Sequence, residues 1–208
     1  MVLALGRLKI SAAALALMAA AIFVDAALLA CILAAAAAHE AGHGAALLIF
    51  KERVSELRVE PWGFEMSCAG TLSYGKEIVT AAAGPIASLL LAVLLSAAGR
   101  YFSAQILYFA AGVSFVFGIF NALPVLPLDG GRVLQNALAL PLGPFAAERA
   151  VCVTSCVVIF VLLAGGMALL IKTRTNFTLL MAGAWLLISY CKRSGIGIKL
   201  RSKSKLKA

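Results

Sequence analysis

The sequence predicts an all-α polytopic membrane protein of about six transmembrane helices, with a small β-hairpin on the cytoplasmic side between helices 2 and 3. Three observations carry this reading. Of 208 residues, 63% are hydrophobic and 13% charged, with a mean hydropathy of +1.02, and a water-soluble domain of that size would have to expose much of its apolar surface. Apolar stretches of about 20 residues, each long enough to cross a hydrocarbon core of roughly 30 Å, recur along almost the whole chain. The basic residues between those stretches are shared very unevenly.

Taken in order, spans are expected near residues 8–24, 26–50, 77–98, 102–123, 147–171 and 176–191. An even number puts both termini on one side of the membrane. Arg7, Lys9, Lys51, Arg53, Arg58, Lys76, Arg132, Arg149 and seven residues of the C-terminal tail fall on that side, whereas Arg100, Lys172 and Arg174 fall on the other. A 15-to-3 split makes both termini cytoplasmic by the positive-inside rule. The first run, with Arg7 and Lys9 ahead of Ile10 to Val24, also fits a cleaved signal peptide, and cleavage would leave the orientation of every later span unchanged. Residues 1–191 thus read as one membrane domain and residues 192–208 as a basic cytoplasmic tail.

Residues 51–76 interrupt the apolar pattern. Leu57 and Val59 alternate with Glu56, Arg58 and Glu60, Pro61-Trp62-Gly63 offers a turn, and Phe64, Met66 and Cys68 alternate with Glu65 and Ser67. Alternation around a turn predicts a hairpin at 56–68. It serves either as a plain connection with an interfacial Trp or as a sheet edge onto which an extended peptide adds as a strand.

The formal charge of +9 does not point to nucleic acid. Lys192, Arg193, Lys199, Arg201, Lys203, Lys205 and Lys207 follow the last apolar stretch, as expected of a tail beside anionic lipid. Five cysteines, Cys31, Cys68, Cys152, Cys156 and Cys191, form an odd set, mostly within apolar runs, so packing rather than a disulfide framework is expected. Cys152 and Cys156 are one helical turn apart, but no His or third Cys accompanies them as a metal site would require.

His39 and His43 are the only histidines, and Glu40 lies between them. On a helix four residues turn about 400°, so the two imidazoles project within roughly 40° of each other, with Glu40 about 100° from His39. This is the HExxH arrangement, in which two neutral imidazoles hold Zn²⁺ and the carboxylate, kept off the metal, takes a proton from water. An ionisable group at that depth costs about 2.5–3.5 kcal/mol on insertion scales, which packing alone does not justify. Gly42 and Gly44 would let another backbone approach the site.

A zinc held by two histidines needs a third protein ligand and keeps one position for water. Most acidic residues lie in charge-mixed loops or at span edges; Asp129 lies in Asn121-Ala-Leu-Pro-Val-Leu-Pro-Leu-Asp129-Gly-Gly131. Pro124 and Pro127 cannot continue a helix and would free the carbonyls of Phe120 and Leu123. Such broken backbone is tolerated at membrane depth only where it is buried in protein or lines a wet cavity. With both termini cytoplasmic, the second and fourth spans each run inward, delivering the histidines and Asp129 to similar depth.

The pair HEAGH and N-x-x-P-x-x-P-L-D-G resembles the signature of the site-2 protease family of intramembrane zinc metalloproteases, peptidase family M50, and looks closest to its bacterial branch typified by stage IV sporulation protein FB. The resemblance implies one Zn²⁺ per chain held by His39, His43 and Asp129, Glu40 as general base, and Asn121 in contact with substrate or its developing oxyanion. It makes residues 1–191 the intramembrane protease domain, set in a bacterial cell membrane or one surrounding a forespore. It also implies a membrane or membrane-associated protein as substrate, for the sporulation branch a sigma-factor precursor, with inhibitory membrane proteins as partners. Ala83-Gly84-Pro85 matches a further family element, in which Pro85 would free the carbonyl of Ala81; Ser88 stands where members commonly carry Asn. The sporulation proteins usually continue into a nucleotide-sensing CBS domain, whereas here Lys192 to Ala208 follow the last span, so regulation by that route is not expected. The competing class is a membrane metal transporter or sensor using the same three donors, which would be expected to offer successive ligands along its helices.

Overall fold

A computed structural model describes residues 2–5, 8–11, 25–52, 54–60, 63–68 and 72–193, the four strands among them as backbone. The chain divides into two compact units, Met1–Ala122 and Leu123–Ala208.

The first unit holds strands β1 (Val2–Leu5), β2 (Leu8–Ser11), β3 (Val54–Glu60) and β4 (Gly63–Cys68) and helices α1 (Ala26–Ile49), α2 (Tyr74–Phe102) and α3 (Gln105–Asn121). The strands lie in the order β1-β2-β3-β4; β2 runs parallel to β3, and β3 pairs antiparallel with β4, Leu57 opposite Met66 and Val59 opposite Phe64. The turn residues Pro61 and Trp62 lie outside the described residues.

Helix α1 begins at Asp25, whose Oδ1 accepts the backbone N–H groups of Ala27 and Leu28 at 2.9 and 3.2 Å, satisfying donors that a helix start leaves orphaned. Its buried stripe is Cys31, Ala35, His39, His43, Ala46 and Leu47. Both histidines are therefore on the face that packs into the protein, while Leu33, Leu48 and Ile49 are turned outward, as a lipid-facing surface requires. Helix α2 packs against α1 and α3. A Cβ at Gly42 would sit 2.5 Å from Ala83 O and 2.7 Å from Ala87 Cβ, so the two backbones approach where only glycine fits. A Cβ at Gly44 would meet nothing within 4 Å among the described residues, so no close approach there calls for glycine. Beyond α1, Glu52 accepts from Lys76 Nζ at 2.7 Å, tying its end to the start of α2.

The second unit holds α4 (Asp129–Leu142), α5 (Pro144–Thr173) and α6 (Thr178–Arg193). Helix α5 carries the buried line Ala147, Val151, Ser155 and Ile159, a four-residue spacing that places one narrow stripe against its neighbours α4 and α6. Helix α6 is further joined to α5 by Tyr190, whose hydroxyl donates to Cys152 Sγ at 2.7 Å. Cys31, Cys152, Cys156 and Cys191 are free thiols.

Three of the six expected spans are supported. Among the described residues three helices are long and apolar enough to cross a membrane: Ala26–Ile49, Tyr74–Phe102 and Pro144–Thr173. The helices at the expected fourth and sixth spans have 17 and 16 residues, about 26 and 24 Å at 1.5 Å per residue, at the short end of the roughly 17–25 residues that cross a bilayer. Of the expected first span, Leu8–Ser11 is strand and residues 12–24 lie outside the described residues, as do residues 194–208 of the tail. Helix α4 was not foreseen: Gly130, Gly131 and Pro141 within its 14 residues hide an amphipathic helix from a search for long apolar runs.

Candidate metal centre

The histidine half of the site is built by α1 and α2. Nε2 of His39 and Nε2 of His43 stand 3.2 Å apart, their rings edge to face at 84°, and both side chains are buried. The opposite nitrogen of each ring is anchored on α2: His43 Nδ1 to the carbonyl of Thr80 at 2.7 Å and His39 Nδ1 to the hydroxyl of Ser88 at 3.0 Å. Holding one imidazole nitrogen fixes the tautomer and the ring plane, so the other nitrogen is offered as a lone-pair donor. The Phe117 ring on α3 closes the outer side of His39, centroids 5.0 Å apart at 85°.

Gly84 is the floor of this cradle. A methyl there would fall on Nε2 of both imidazoles, 2.9 Å from that of His39 and closer still to that of His43. Two converging imidazole nitrogens over space that a single Cβ would fill fit a borderline-soft cation such as zinc, whose tetrahedral shell takes histidine nitrogen at about 2.0–2.1 Å. Pro85 lies inside α2, eleven residues past its start at Tyr74, rather than at a helix start. Helix α2 begins earlier than the apolar run suggests, because Tyr74 to Glu77 form its polar first turn. The Thr80 hydroxyl is buried without a hydrogen-bond partner among the described residues. Glu40, half-buried, shares α1 with the histidines.

Asn121 is the last residue of α3. Its amide nitrogen donates to Phe117 O at 3.0 Å, so that end of the side chain is turned back on its own helix. The N–H of Ala122 donates to Gly118 O at 3.0 Å, so the helical hydrogen bonding runs to the end of α3.

Asp129 opens α4 in the second unit and is buried. A carboxylate in a first helical turn is favoured by the N–H groups and dipole there; Arg132 Nη1 lies 3.5 Å from Asp129 Oδ1. The preceding loop is tightly held. Val125 N–H donates to Leu123 O at 2.7 Å, and Leu128 N–H to Val125 O at 2.8 Å. Leu126 N–H reaches Ser155 Oγ on α5 at 3.1 Å. Gly131 lets the loop lie on the helix start: a Cβ would meet Val125 C and O and Leu126 N at 2.5–2.6 Å. The two prolines thus break the helix, and Ser155 and Gly131 fix the turn that presents Asp129.

Sequence reasoning left two contributors unidentified. Ser88 stands where the family commonly carries Asn, and Ser155 belongs to no motif. Both serines occupy buried stripes at helical spacing, and a hydroxyl on an otherwise apolar buried face was the available signal.

Comparison with known proteins agrees with this picture. Residues 96–165 match the model of peptidase family M50, a stretch that holds the Asp129 loop and lies beyond the histidines. A zinc metalloprotease of Methanocaldococcus jannaschii is 26% identical over 110 residues, 50% of this chain and 32% of that protein, so the chain spans about a third of that relative's length. The site-2 protease from Methanocaldococcus jannaschii has the same fold: TM-score 0.69 at 17% identity, over 92% of this chain and 94% of that one. The two sequence matches are thus to peptidase family M50 and to a zinc metalloprotease, each over part of the chain, and the structural match shows the site-2 protease fold. The similarity reaches the family and goes no further: the closer resemblance to the sporulation branch draws no support from these matches.

Proposed function

We propose that this protein is an intramembrane zinc protease, hydrolysing a peptide bond in or beside a transmembrane segment of another protein. His39, His43 and Asp129 together hold one zinc; all three are buried and supply the two-imidazole, one-carboxylate set of a catalytic zinc site with a position left for water. The observation that carries this is the histidine pair, with Nε2 atoms 3.2 Å apart and both Nδ1 atoms anchored on α2. Zinc, when bound there, supplies Lewis acidity and lowers the pKa of its water. Glu40 accepts the proton of the attacking water and returns it to the leaving amine, as a carboxylate held off the metal can. Asn121 orients the scissile carbonyl through the part of its amide not donated to Phe117. The edge of β4 receives the substrate as an extended strand, since peptide bonds in an intact helix are shielded.

With six spans, α3 and α6 crossing as short helices, both termini face the cytoplasm in this reading, which the 15-to-3 distribution of basic residues supports. A sigma-factor precursor as substrate, inhibitory membrane partners and a bacterial or forespore-surrounding membrane rest on the sequence resemblance alone.

The test is co-reconstitution with membrane-anchored candidate substrates. A shortened product that requires zinc, and that is lost on chelation and restored by re-addition, is expected. Zinc flux into sealed vesicles that persists in Glu40→Gln, without cleavage of any substrate by the wild type, would instead assign the chain to metal transport.

A further inference from the structure

The two imidazoles are anchored by groups that differ in kind. His43 Nδ1 meets the Thr80 carbonyl at 2.7 Å; a carbonyl only accepts, so this nitrogen carries the proton and Nε2 keeps its lone pair. Backbone therefore sets the orientation of His43, beyond the reach of side-chain substitution. His39 Nδ1 meets a side chain, Ser88 Oγ, at 3.0 Å.

Ser88 is fully buried, one helical turn beyond Gly84 on α2. Helix α3 backs it closely: a Cβ at Gly118 would stand 3.1 Å from Ser88 Cβ, and the neighbouring Phe117 ring packs edge-on against His39. The hydroxyl is thus confined beside one nitrogen of one ring. An imidazole binds metal through Nε2 only if Nδ1 holds the proton, and a fixed acceptor at Nδ1 is what secures that form.

The geometry points to Ser88 as the positioning residue of His39: its hydroxyl accepts the Nδ1 proton and holds Nε2 beside that of His43 as a metal ligand. This rests on the zinc reading above, and it assigns a role to a position where the chain departs from the family's usual residue. Ser88 adds nothing to the donor set; it sets the affinity and ring plane of one donor, and His43 is independent of it.

Because the chain has two histidines, ¹⁵N-histidine labelling of the full-length protein in lipid nanodiscs yields one Nδ1 and one Nε2 signal per ring. Wild type, Ser88→Ala and Ser88→Thr are compared by those spectra and by zinc affinity in chelator competition. Ser88→Ala is expected to weaken zinc binding about 10–100-fold, and to move the His39 signals while those of His43 stay in place. Ser88→Thr, which keeps the hydroxyl, is expected to recover most of the affinity. Wild-type affinity and an unmoved His39 Nδ1 signal in Ser88→Ala would overturn the assignment. So would a Ser88→Thr variant as weak as Ser88→Ala, since the position would then act through its volume, and so would a shift of both rings alike. A wild-type protein that binds no zinc, or whose binding survives His39→Ala, instead removes the zinc reading itself.

Discussion

Replacing Gly84 by Ala tests whether the space between the two imidazoles is the metal site. The added methyl would lie 2.5 Å from His43 Cε1 and 2.9 Å from His39 Nε2, against an ordinary carbon contact of roughly 3.5–4.0 Å. The rings or α2 must therefore give way by about 1 Å, whereas metal–ligand distances are tolerated to about ±0.2 Å. A misplacement of about 1 Å is worth roughly 100-fold in a reactive site, about 2.7 kcal/mol. Overpacking adds a stability cost of about 1–3 kcal/mol, which the gain of up to about 1 kcal/mol from Gly to Ala in a helix only partly offsets. Zinc affinity by chelator competition should fall about 100-fold or more, with cleavage falling in parallel. Gly44→Ala, beside His43 on α1 but with an added Cβ meeting nothing within 4 Å among the described residues, should leave both unchanged. Wild-type zinc affinity in Gly84→Ala would refute the placement of the metal over that glycine.

Other consequences can be checked alongside. Gly131→Ala forces a Cβ onto the Val125–Leu126 backbone and should cost about 1–3 kcal/mol, read as a lowered midpoint in denaturant, with zinc affinity falling as Asp129 is displaced. Ser155→Ala leaves the buried Leu126 N–H without its acceptor, a cost of about 1–3 kcal/mol by the same measurement. Thr80→Val removes a hydroxyl buried without a partner and keeps the carbonyl that anchors His43; stability should hold or rise and zinc affinity should not change. Glu40→Gln should lower the cleavage rate about 10²–10⁴-fold while zinc stays bound; full activity in that variant would sink the mechanism.

The histidine half of the site was legible because it needs only the helical period: HEAGH places two rings on one face wherever the helix lies. Asp129 was reached through chain direction and the two prolines, both properties of the sequence. Ser88 was not, because its importance lies in which residue of α2 faces His39 across a helix interface, and a single helix's period does not carry that register. Helix α4 was missed for a different reason: glycines and a proline lower local helix propensity, and packing overrides it. The six apolar runs are unequal as helices: α3 and α6, with 17 and 16 residues, are at the short end of the roughly 17–25 residues that cross a bilayer. Gly42 and Gly44 look alike in sequence, but among the described residues a Cβ would be crowded at the first and not at the second.

HEAGH and the Asp129 loop are proposed to complete one zinc centre. X-ray absorption at the zinc edge of the purified full-length protein tests it most directly. One zinc per chain is expected, with two imidazole nitrogens at about 2.0–2.1 Å and oxygen as the remaining neighbours, the oxygen count falling in Asp129→Ala. Sulfur at about 2.3 Å, or a spectrum that Asp129→Ala leaves unaltered, would contradict it.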